Sequence, residues 1–499
     1  MRKHFPTSWT FLLVCAASWA ALEQPGWAQG VQTSGTARGD VERLQAQLVS
    51  QQQQINELRA LLDAQQKLLE RALPGVVTAP APPSPPERAA VPAPAAHDAA
   101  PAAAPLSLQL GGIAFTPTGF FEYSQIWRSK MVPSGLPTNF AGVPFADTVE
   151  GHRRQTLSTA GNTRLGVQVD TKAQGFTVLG VVETDFLGYQ PGNVATTTNS
   201  SGLRLRLAFV DARKNKWEVF GGQTWSLLTP GRTGISPLPA NLFLTEDLDP
   251  NLQSGMFWGR TPQFRVVFRP KARVALGMSF ESGDVYAGGS GGSVSVTLPG
   301  ALAPNYFGQI DTGTSVASVP SPNSDFIAKL AFDPKVSDRA MHVEVAGLVN
   351  RAAFYNPLNN QMFSAIGGGV AVNAGIEAVP HLTLYTNNFY THGGGRFIFG
   401  EAPNLIIQGD GAPSLVRATS TVDGLEFQMG PRWKVSAYYG GTFIDQAVTT
   451  DPATGGPVGY GYPGAPSGQN RSIQEVTGGF ISLGQLKEGR ATMVPTRTP

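Results

Sequence analysis

The strongest constraint on this chain is an alternation of apolar and polar residues that begins near Leu106 and recurs to the C-terminal region. Residues 202–210 read GLRLRLAFV, which places the leucines and Phe209 on one face and Arg204 and Arg206 on the other. Successive side chains of a β-strand point to opposite sides of the sheet, so the pattern predicts strands with one apolar face and one polar face. The same alternation continues in PQFRVVFRP (262–270), RVALGMSFE (273–281) and DFIAKLAF (325–332).

The spacing of these segments predicts how the strands are connected. Short turns of two to six residues alternate with connections that are mostly much longer, as in an outer-membrane meander. A soluble Greek-key sandwich is the alternative, but it has no reason to keep that rhythm. We therefore predict an all-β fold, a transmembrane antiparallel β-barrel occupying residues 106–499. The 14 predicted strands are 115–127, 161–170, 175–187, 202–213, 216–226, 262–269, 273–281, 324–333, 340–350, 362–378, 382–390, 414–429, 432–444 and 470–482.

Composition excludes several other classes of protein. The apolar residues make up 41% of the chain but are dispersed, whereas each transmembrane helix needs about 20 consecutive apolar residues. A formal net charge of +2 is too small to favour a nucleic-acid partner. One cysteine excludes a structural zinc module, and the six histidines have no Ser, Cys or Asp at a spacing that indicates catalysis. We predict no catalytic, cofactor-binding or metal site and no enzyme activity, with a barrel hydrolase as the alternative.

The N-terminal residues have the pattern of an export signal. A positively charged start precedes a short apolar core, and Ala28 ends a small-residue cleavage pattern, so residues 1–28 are predicted to be a signal peptide. Lipidation at Cys15 is the alternative. Loss of this segment would leave a mature chain without cysteine, and therefore without disulfides.

A heptad repeat follows and predicts a coiled coil over residues 41–73. A lone amphipathic helix on a domain surface is the alternative. Residues 74–105 are rich in proline and alanine and predict a semi-rigid linker between this stalk and the barrel. We expect a homotrimer whose coiled coil lies in the periplasm. The predicted seam consists of Val41, Leu44, Leu48, Ile55, Leu58, Leu62 and Leu69.

The polar faces of the strands are predicted to line a lumen. Their basic residues would favour anions in a water-filled pore, and the acidic residues beside them would set a transverse field. The alternative is that these charges only hold the wall together. The predicted pore-lining residues are Arg164, Arg204, Arg206, Arg265, Arg269, Glu183 and Asp185.

The third long loop, residues 227–261, is the predicted constriction. It is rich in proline and large apolar residues, which a solvent-exposed loop would not be expected to hold. Folding into the lumen accounts for these residues, and packing at a subunit interface is the competing explanation. Its acidic residues Glu246, Asp247 and Asp249 would then face the pore.

The sequence resembles the DcaP-like family of outer-membrane porins in four consecutive motifs. They are GNTRLGVQVDT (161–171), VETDF (182–186), GLRLRLAFVDAR (202–213) and FGGQTWSLLTP (220–230). The resemblance covers about residues 106–482 and implies a 16-stranded trimeric barrel with a signal peptide and a coiled coil. It also implies outer-membrane location, contact with outer-membrane lipids and uptake of small anionic solutes such as dicarboxylates. By motif, Arg164, Arg204 and Arg206 would line the pore.

The C-terminal residues depart from that family pattern. Fourteen strands are readable rather than 16, and the chain ends in a proline-containing tail where an aromatic-terminated strand is expected. The interpretation is a barrel that is shortened, or truncated by a missing hairpin.

A non-conducting structural barrel, tethered through its coiled coil, is the alternative function.

Overall fold

The computed structural model describes residues 107–132, 135–188, 202–246, 253–288, 294–311, 321 and 323–482, which lie in the compact unit Pro101–Pro499. The predicted signal peptide, coiled coil and linker lie outside the described residues, as does the tail after residue 482. Among the described residues, no helix combines the length and the apolar composition needed to cross a bilayer.

Strands make up most of the described residues. In chain order they are β1 (Leu108–Leu110), β2 (Ile113–Phe120), β3 (Ser124–Arg128), β4 (Gln155–Thr159), β5 (Arg164–Ala173), β6 (Phe176–Gly188), β7 (Gly202–Lys214), β8 (Trp217–Trp225), β9 (Arg260–Lys271), β10 (Val274–Glu281), β11 (Asp325–Phe332), β12 (Lys335–Val336), β13 (Arg339–Asn356), β14 (Gln361–Val379), β15 (Leu382–His392), β16 (Leu405–Ile407), β17 (Pro413–Leu415), β18 (Arg417–Gln428), β19 (Trp433–Ile444), β20 (Ala447–Thr450), β21 (Pro457–Tyr460) and β22 (Ser472–Ser482). The helical elements are α1 (Ala303–Tyr306) and the 3-10 turns Glu150–His152, Pro239–Asn241, Gly395–Phe397 and Ser467–Gln469.

A single antiparallel sheet organises these strands. Its order is β1-β2-β5-β6-β7-β8-β9-β10-β11-β13-β14-β15-β18-β19-β22, with β12 paired to β13. The sheet has 16 strands, and setting aside the three-residue β1 and the two-residue β12 leaves 14 longer ones, the number predicted. Small two-stranded sheets, β3-β4, β16-β17 and β20-β21, lie in the long connections. The predicted all-β antiparallel meander is confirmed.

The first predicted strand, 115–127, differs from the structure because it is interrupted. It forms β2 and β3, which pair with β5 and β4 of the same hairpin. At the break, the backbone N–H of Glu122 donates to the Thr163 hydroxyl at 3.2 Å, and its carboxylate accepts from the Asn162 amide at 2.6 Å. Side-chain bonds replace the backbone ladder here, so the strand pairing stops between β2 and β3.

Strand β7 contains a bulge that changes which side chains share a face. Leu207 pairs with Glu183 and Leu205 with Thr184, which leaves Arg206 as an extra residue. Leu205 is 49% exposed, whereas Leu207 is 1% exposed and Phe209 is 5% exposed. The prediction that all the apolar residues of 202–210 share one face is therefore wrong beyond Arg206.

The two faces of the sheet are chemically different. On β9 and β10, Phe264, Met278 and Phe280 are each more than half exposed on the outer face, while Val267 between them is fully buried. Long connections pack against the opposite, inner face of the sheet and form the main apolar cluster with it. Leu227, Phe257 and Ile398 belong to the connections, and Phe389 belongs to β15. The core of this protein therefore lies inside the curled sheet, where side chains from the connections pack against side chains from the strands.

Candidate functional site

The described residues 226–246 and 253–259, here called the crossing loop, belong to the connection between two strands that are neighbours in the sheet, β8 and β9. Its contacts nevertheless reach the far strands: Arg232 bonds Glu426 on β18, and the Gln253 amide donates to the Glu475 carbonyl on β22 at 3.1 Å. A loop can touch both regions only if the sheet curls around it. The crossing loop thus spans the interior enclosed by the sheet.

The central attachment of the crossing loop is Arg232. Its guanidinium donates to both carboxylate oxygens of Glu426, at 2.7 and 2.9 Å, and to the Tyr385 hydroxyl at 2.6 Å. The same group donates to the carbonyls of Leu242 and Leu244, at 3.2 and 2.8 Å, so it also closes the loop upon itself. A bidentate arginine–carboxylate pair combines charge with fixed geometry and is among the strongest side-chain contacts.

Glu246, one of the predicted constriction residues, is held against the same wall. Lys434 on β19 lies 2.5 Å from the Glu246 carboxylate and 3.0 Å from Glu426. The Glu246 backbone N–H also donates to the Tyr438 hydroxyl at 3.1 Å. The other two predicted constriction residues, Asp247 and Asp249, lie outside the described residues.

A second attachment joins the start of the crossing loop to β11 and β13. The Glu344 carboxylate accepts from Lys329 at 2.9 Å and from the Gly231 backbone N–H at 3.1 Å. Lys329 also donates to the Thr229 carbonyl at 2.7 Å. His342 contacts Glu344 at 3.2 Å, which extends the network along β13. Buried charges are tolerated here because each has an opposite charge and further hydrogen bonds.

The far part of the crossing loop is held by Glu401, which lies in the connection between β15 and β18. Its carboxylate accepts from the Ser254 hydroxyl at 3.1 Å, from the Gly255 backbone N–H at 3.2 Å and from the Thr442 hydroxyl. Glu401 is fully buried and has no ion-pair partner among the described residues. Burial accordingly raises the pKa of Glu401 to about 8.

An arginine cluster lies on β5, β6, β7 and β9. Arg204 donates to both oxygens of Asp185, at 3.0 and 2.7 Å, and Arg206 bridges Asp185 and Glu183, each at 2.8 Å. Arg164 lies 5.0 Å from the centre of the Phe120 ring on β2. The cluster is completed by Arg260, whose charge interacts with those of Arg164, Arg204, Arg206 and Asp185.

Two members of this arginine cluster lack an acidic partner. Arg164 and Arg260 form no ion pair within the described part of the chain, and Arg164 Nε and Arg260 Nη1 are buried without a hydrogen-bond partner there. Arg260 instead lies over the Trp225 and Trp258 rings, 5.3 and 5.4 Å from their centres. Cation–π contacts hold a guanidinium without neutralising its charge.

Three of the predicted pore-lining residues are buried in the structure. Arg265 is 2% exposed, because it packs over the Phe220 ring and donates to the Trp225 carbonyl at 2.7 Å. Asp185 and Arg206 are 0% and 4% exposed, because they cover one another. These three side chains therefore have little exposed surface that could face a pore.

The other four predicted pore-lining residues keep some exposed surface. The side chain of Arg204 is 36% exposed and that of Glu183 is 15% exposed, and Arg164 is half-buried. Arg269 is 30% exposed and pairs with Glu218 at 2.6 Å. The arginine cluster brings Arg164, Arg204 and Glu183 together, whereas Arg269 belongs to a separate ion pair.

Two functional candidates were missed by the sequence analysis. Arg260 precedes the predicted strand 262–269, so no alternation indicated its position, although the neighbouring Trp258 is a possible signal for a cation–π site. Arg232 lies in a loop and its partner Glu426 is 194 residues away, so no sequence spacing could reveal the pair. Among the described residues, no group of three or more His, Cys, Asp or Glu side chains is arranged to hold a metal ion.

Comparison with solved structures identifies the architecture. The chain matches the outer membrane channel DcaP of Acinetobacter baumannii with 17% identity and a TM-score of 0.52, covering 78% of this chain and 95% of that one. The chain has the fold of that channel. The resemblance to DcaP-like porins predicted from sequence is therefore confirmed at the level of the fold.

Other solved structures match with lower scores. OmpF of Salmonella typhi matches with 9% identity and a TM-score of 0.40, covering 76% of this chain and 88% of that one. An anion-selective porin from Comamonas acidovorans matches with 10% identity and a TM-score of 0.32, covering 74% and 98%. No family model matches the sequence, and a comparison with curated proteins gives no match.

Replacing Arg232 with alanine should release the crossing loop from the β18 wall. The change leaves the Glu426 carboxylate, which is 6% exposed, without its bidentate partner. Removing one partner of a buried ion pair typically costs about 3 kcal/mol or more. We expect lower stability in urea, measured by tryptophan fluorescence, together with easier proteolysis within residues 226–259.

The matched control is the double variant Arg232→Ala with Glu426→Ala. It removes both charges, so it should recover part of the stability that Arg232→Ala loses. If the single and double variants unfold at the same urea concentration, the pair does not hold the loop.

The raised pKa of Glu401 predicts that the free energy of unfolding depends on pH. Between about pH 5 and about pH 8 the unfolded chain has released the Glu401 proton while the folded chain retains it, so the free energy of unfolding should fall as pH rises through this range. Urea unfolding at about pH 6 and about pH 9 measures the difference. Glu401→Gln, which cannot ionise, should make that difference smaller; an equal difference in both proteins would contradict the assignment.

Proposed function

We propose that this protein is an outer-membrane porin, a water-filled channel for the passive diffusion of small solutes, with a preference for anions. The observation that carries the proposal is the crossing loop, which is held across the interior of a curled antiparallel sheet by the ion pairs of Arg232 and Glu246 with the wall and by hydrogen bonds to Lys329 and Glu344. A loop held in this way narrows the interior of the sheet, which a barrel with a purely structural role does not require. The DcaP fold supports the same reading.

Preference for anions is supported by the local charge balance. The arginine cluster brings four guanidinium groups to three carboxylates, those of Glu183, Asp185 and Glu122. Elsewhere inside the sheet, cations such as Arg396 have an acidic partner of their own. Cationic groups next to a water-filled path lower the energy of anions and raise that of cations. We infer that this cluster selects the charge of the solute.

A small dicarboxylate is the solute class that best fits the cluster. Arg164 and Arg260 each keep buried N–H groups that no described residue accepts from. Guanidinium groups bind carboxylates in a planar, often bidentate geometry, so two of them suit a solute with two carboxylates. The resemblance of the motifs in 161–171 and 202–213 to DcaP-like porins supports this choice.

The proposed assembly is a homotrimer in the outer membrane, with the coiled coil of residues 41–73 in the periplasm. The outer face of the sheet supports the membrane location, because large apolar side chains such as Met278 and Phe280 are exposed there. The heptad seam supports self-association through a stalk.

Selectivity can be tested with the two unpaired arginines. We expect the wild-type protein in planar bilayers to conduct and to show a reversal potential of the sign for anion selectivity in a salt gradient. Arg164→Ala with Arg260→Ala should shift that potential towards zero, because it removes two positive charges that form no ion pair within the described residues. Cation selectivity in the wild-type protein would contradict the proposal. The absence of any conductance would favour the alternative function, a non-conducting structural barrel.

The matched control for this measurement removes two arginines from the outer face. Arg339 and Arg351 on β13 are exposed and share the outward parity of Val345. Their double alanine variant loses the same charge as the test variant, so it separates a local effect from an effect of net charge. Its reversal potential should stay close to that of the wild-type protein.

Assembly can be tested in the extracted protein. Native mass measurement in mild detergent should give three chains, because the seam residues, including Leu48 and Leu62, have the heptad spacing of a self-associating helix. Leu48→Asp with Leu62→Asp should weaken the stalk contact. A monomeric wild-type protein would contradict the proposed trimer but not the proposed channel.

A further inference from the structure

The outer face of the sheet is apolar over its first and central strands but not over its last ones. From β9 to β14 the outward residues in the middle of the strands are apolar, and most of them are large. Examples with 42–58% exposure are Phe264, Leu276, Met278, Phe280, Leu330, Val345, Val349, Val370 and Val372. A surface of this kind suits contact with lipid chains.

A group of polar side chains interrupts this apolar surface on β15, β18, β19 and β22. We call it the outer polar patch, and it consists of Thr386, Asn388, Thr419, Thr421, Asp423, Tyr439 and Gln474. Asp423 and Asn388 are exposed, whereas their chain neighbours Val422 and Asn387 are buried. The patch therefore faces away from the interior of the sheet.

The pairing register shows that the outer polar patch is continuous. Asp423 pairs with Thr386 on one side and with Tyr439 on the other. One row further along, Thr421 pairs with Asn388 and with Gly441, and Gly441 pairs with Gln474. Paired side chains on one face of a sheet are close neighbours, so these residues form one surface across four strands.

Depth in the membrane makes this surface unusual. Asp423 lies in the middle of β18, whose 12 residues are about the length that crosses the apolar layer. Towards the short turns, the patch is bounded by the exposed apolar residues Leu425, Phe427 and Phe480. A carboxylate at this depth would meet hydrocarbon if the outer face were covered by lipid.

Bonds within the patch do not satisfy its polar groups. The described contacts are Thr421 donating to Asp423 at 3.1 Å, Asn388 donating to Thr386 at 3.0 Å and the Tyr439 hydroxyl donating to Gln474 at 3.1 Å. Within the described part of the chain, Asp423 has no cationic partner. Lipid chains cannot donate or accept hydrogen bonds, so a mid-depth patch of this composition is costly unless protein covers it.

The surface is also concave at its loop end. A depression of about 530 Å³ adjoins the patch and is lined by residues that include Tyr390, Arg417, Thr419, Phe443 and Arg471. Its mixture of aromatic and basic side chains resembles the composition of protein interfaces more than that of a lipid-facing wall.

We infer that the outer polar patch is the contact surface for a second copy of this chain. A partner must span the membrane at the same depth to reach Asp423, which excludes a soluble protein. Another copy of this sheet meets that requirement, and a cyclic assembly repeats the same contact around its axis. The inference rests on the homotrimer proposed above and adds to it the surface through which the barrels meet.

Oxygen accessibility in lipid vesicles tests this placement. The background is the full chain with its single cysteine removed by Cys15→Ser, and a nitroxide spin label is attached at Thr421→Cys or, as control, at Val345→Cys. Both sites point outward at a similar distance from the short-turn end of their strands. Oxygen concentrates in the hydrocarbon, so the label at 421 should show severalfold lower oxygen accessibility than the label at 345. Equal accessibility would overturn the inference.

Bulky substitutions give a second, independent readout. Thr421→Trp should abolish the SDS-resistant oligomer, because the added ring cannot fit a packed contact, whereas Val345→Trp should leave it unchanged. An oligomer that survives Thr421→Trp would overturn the assignment.

The outcomes also separate this inference from the proposals above. If the label at 421 is protected from oxygen but the protein does not conduct, the inferred interface stands and the proposed channel is wrong. A trimer with both labels equally accessible would keep the trimer and overturn the interface. A conducting wild-type monomer with both labels accessible would overturn both the trimer and the interface, and would leave the channel.

Discussion

The ion pair between Arg232 and Glu426 is the contact on which the interior of this protein depends. Ordering a long loop costs conformational entropy for every residue, and the contacts of the crossing loop with the wall at several points offset that cost. Arg232, Glu246, Glu426 and Lys434 form a network of two cations and two anions. Since that network is neutral, it fixes the loop without adding a net charge to the path.

The arginine cluster, unlike that network, does not contain equal numbers of positive and negative groups. Its carboxylates are covered by Arg204 and Arg206, and its remaining cations are held by aromatic rings. A ring face attracts a guanidinium without neutralising its charge. The same interior therefore contains charges that hold the loop and, at Arg164 and Arg260, charges that form no ion pair within the described residues.

The arrangement of strands could be predicted from the sequence to a large extent. The alternation of apolar and polar residues in segments such as 262–270 indicates the two sides of a strand. Glycine or proline in short turns such as 270–272 indicates where a strand ends. Errors occurred where a local exception broke the period. The bulge at Arg206 turned Leu207 inward, and side-chain bonds around Glu122 divided the first predicted strand into two.

By itself, the sequence determined the all-β class, the antiparallel order and the presence of charged residues on the inward side of strands such as β7 and β9, because each of these depends on residues that are near one another in the chain. Only the tertiary structure decided which basic residues are free. Arg265 became buried and Arg260 joined the cluster once the sheet had curled and the crossing loop had packed inside it. Glu426 meets an arginine 194 residues away for the same reason. Alternation is a local property, whereas pairing across a curled sheet depends on the closure of the whole chain around its interior.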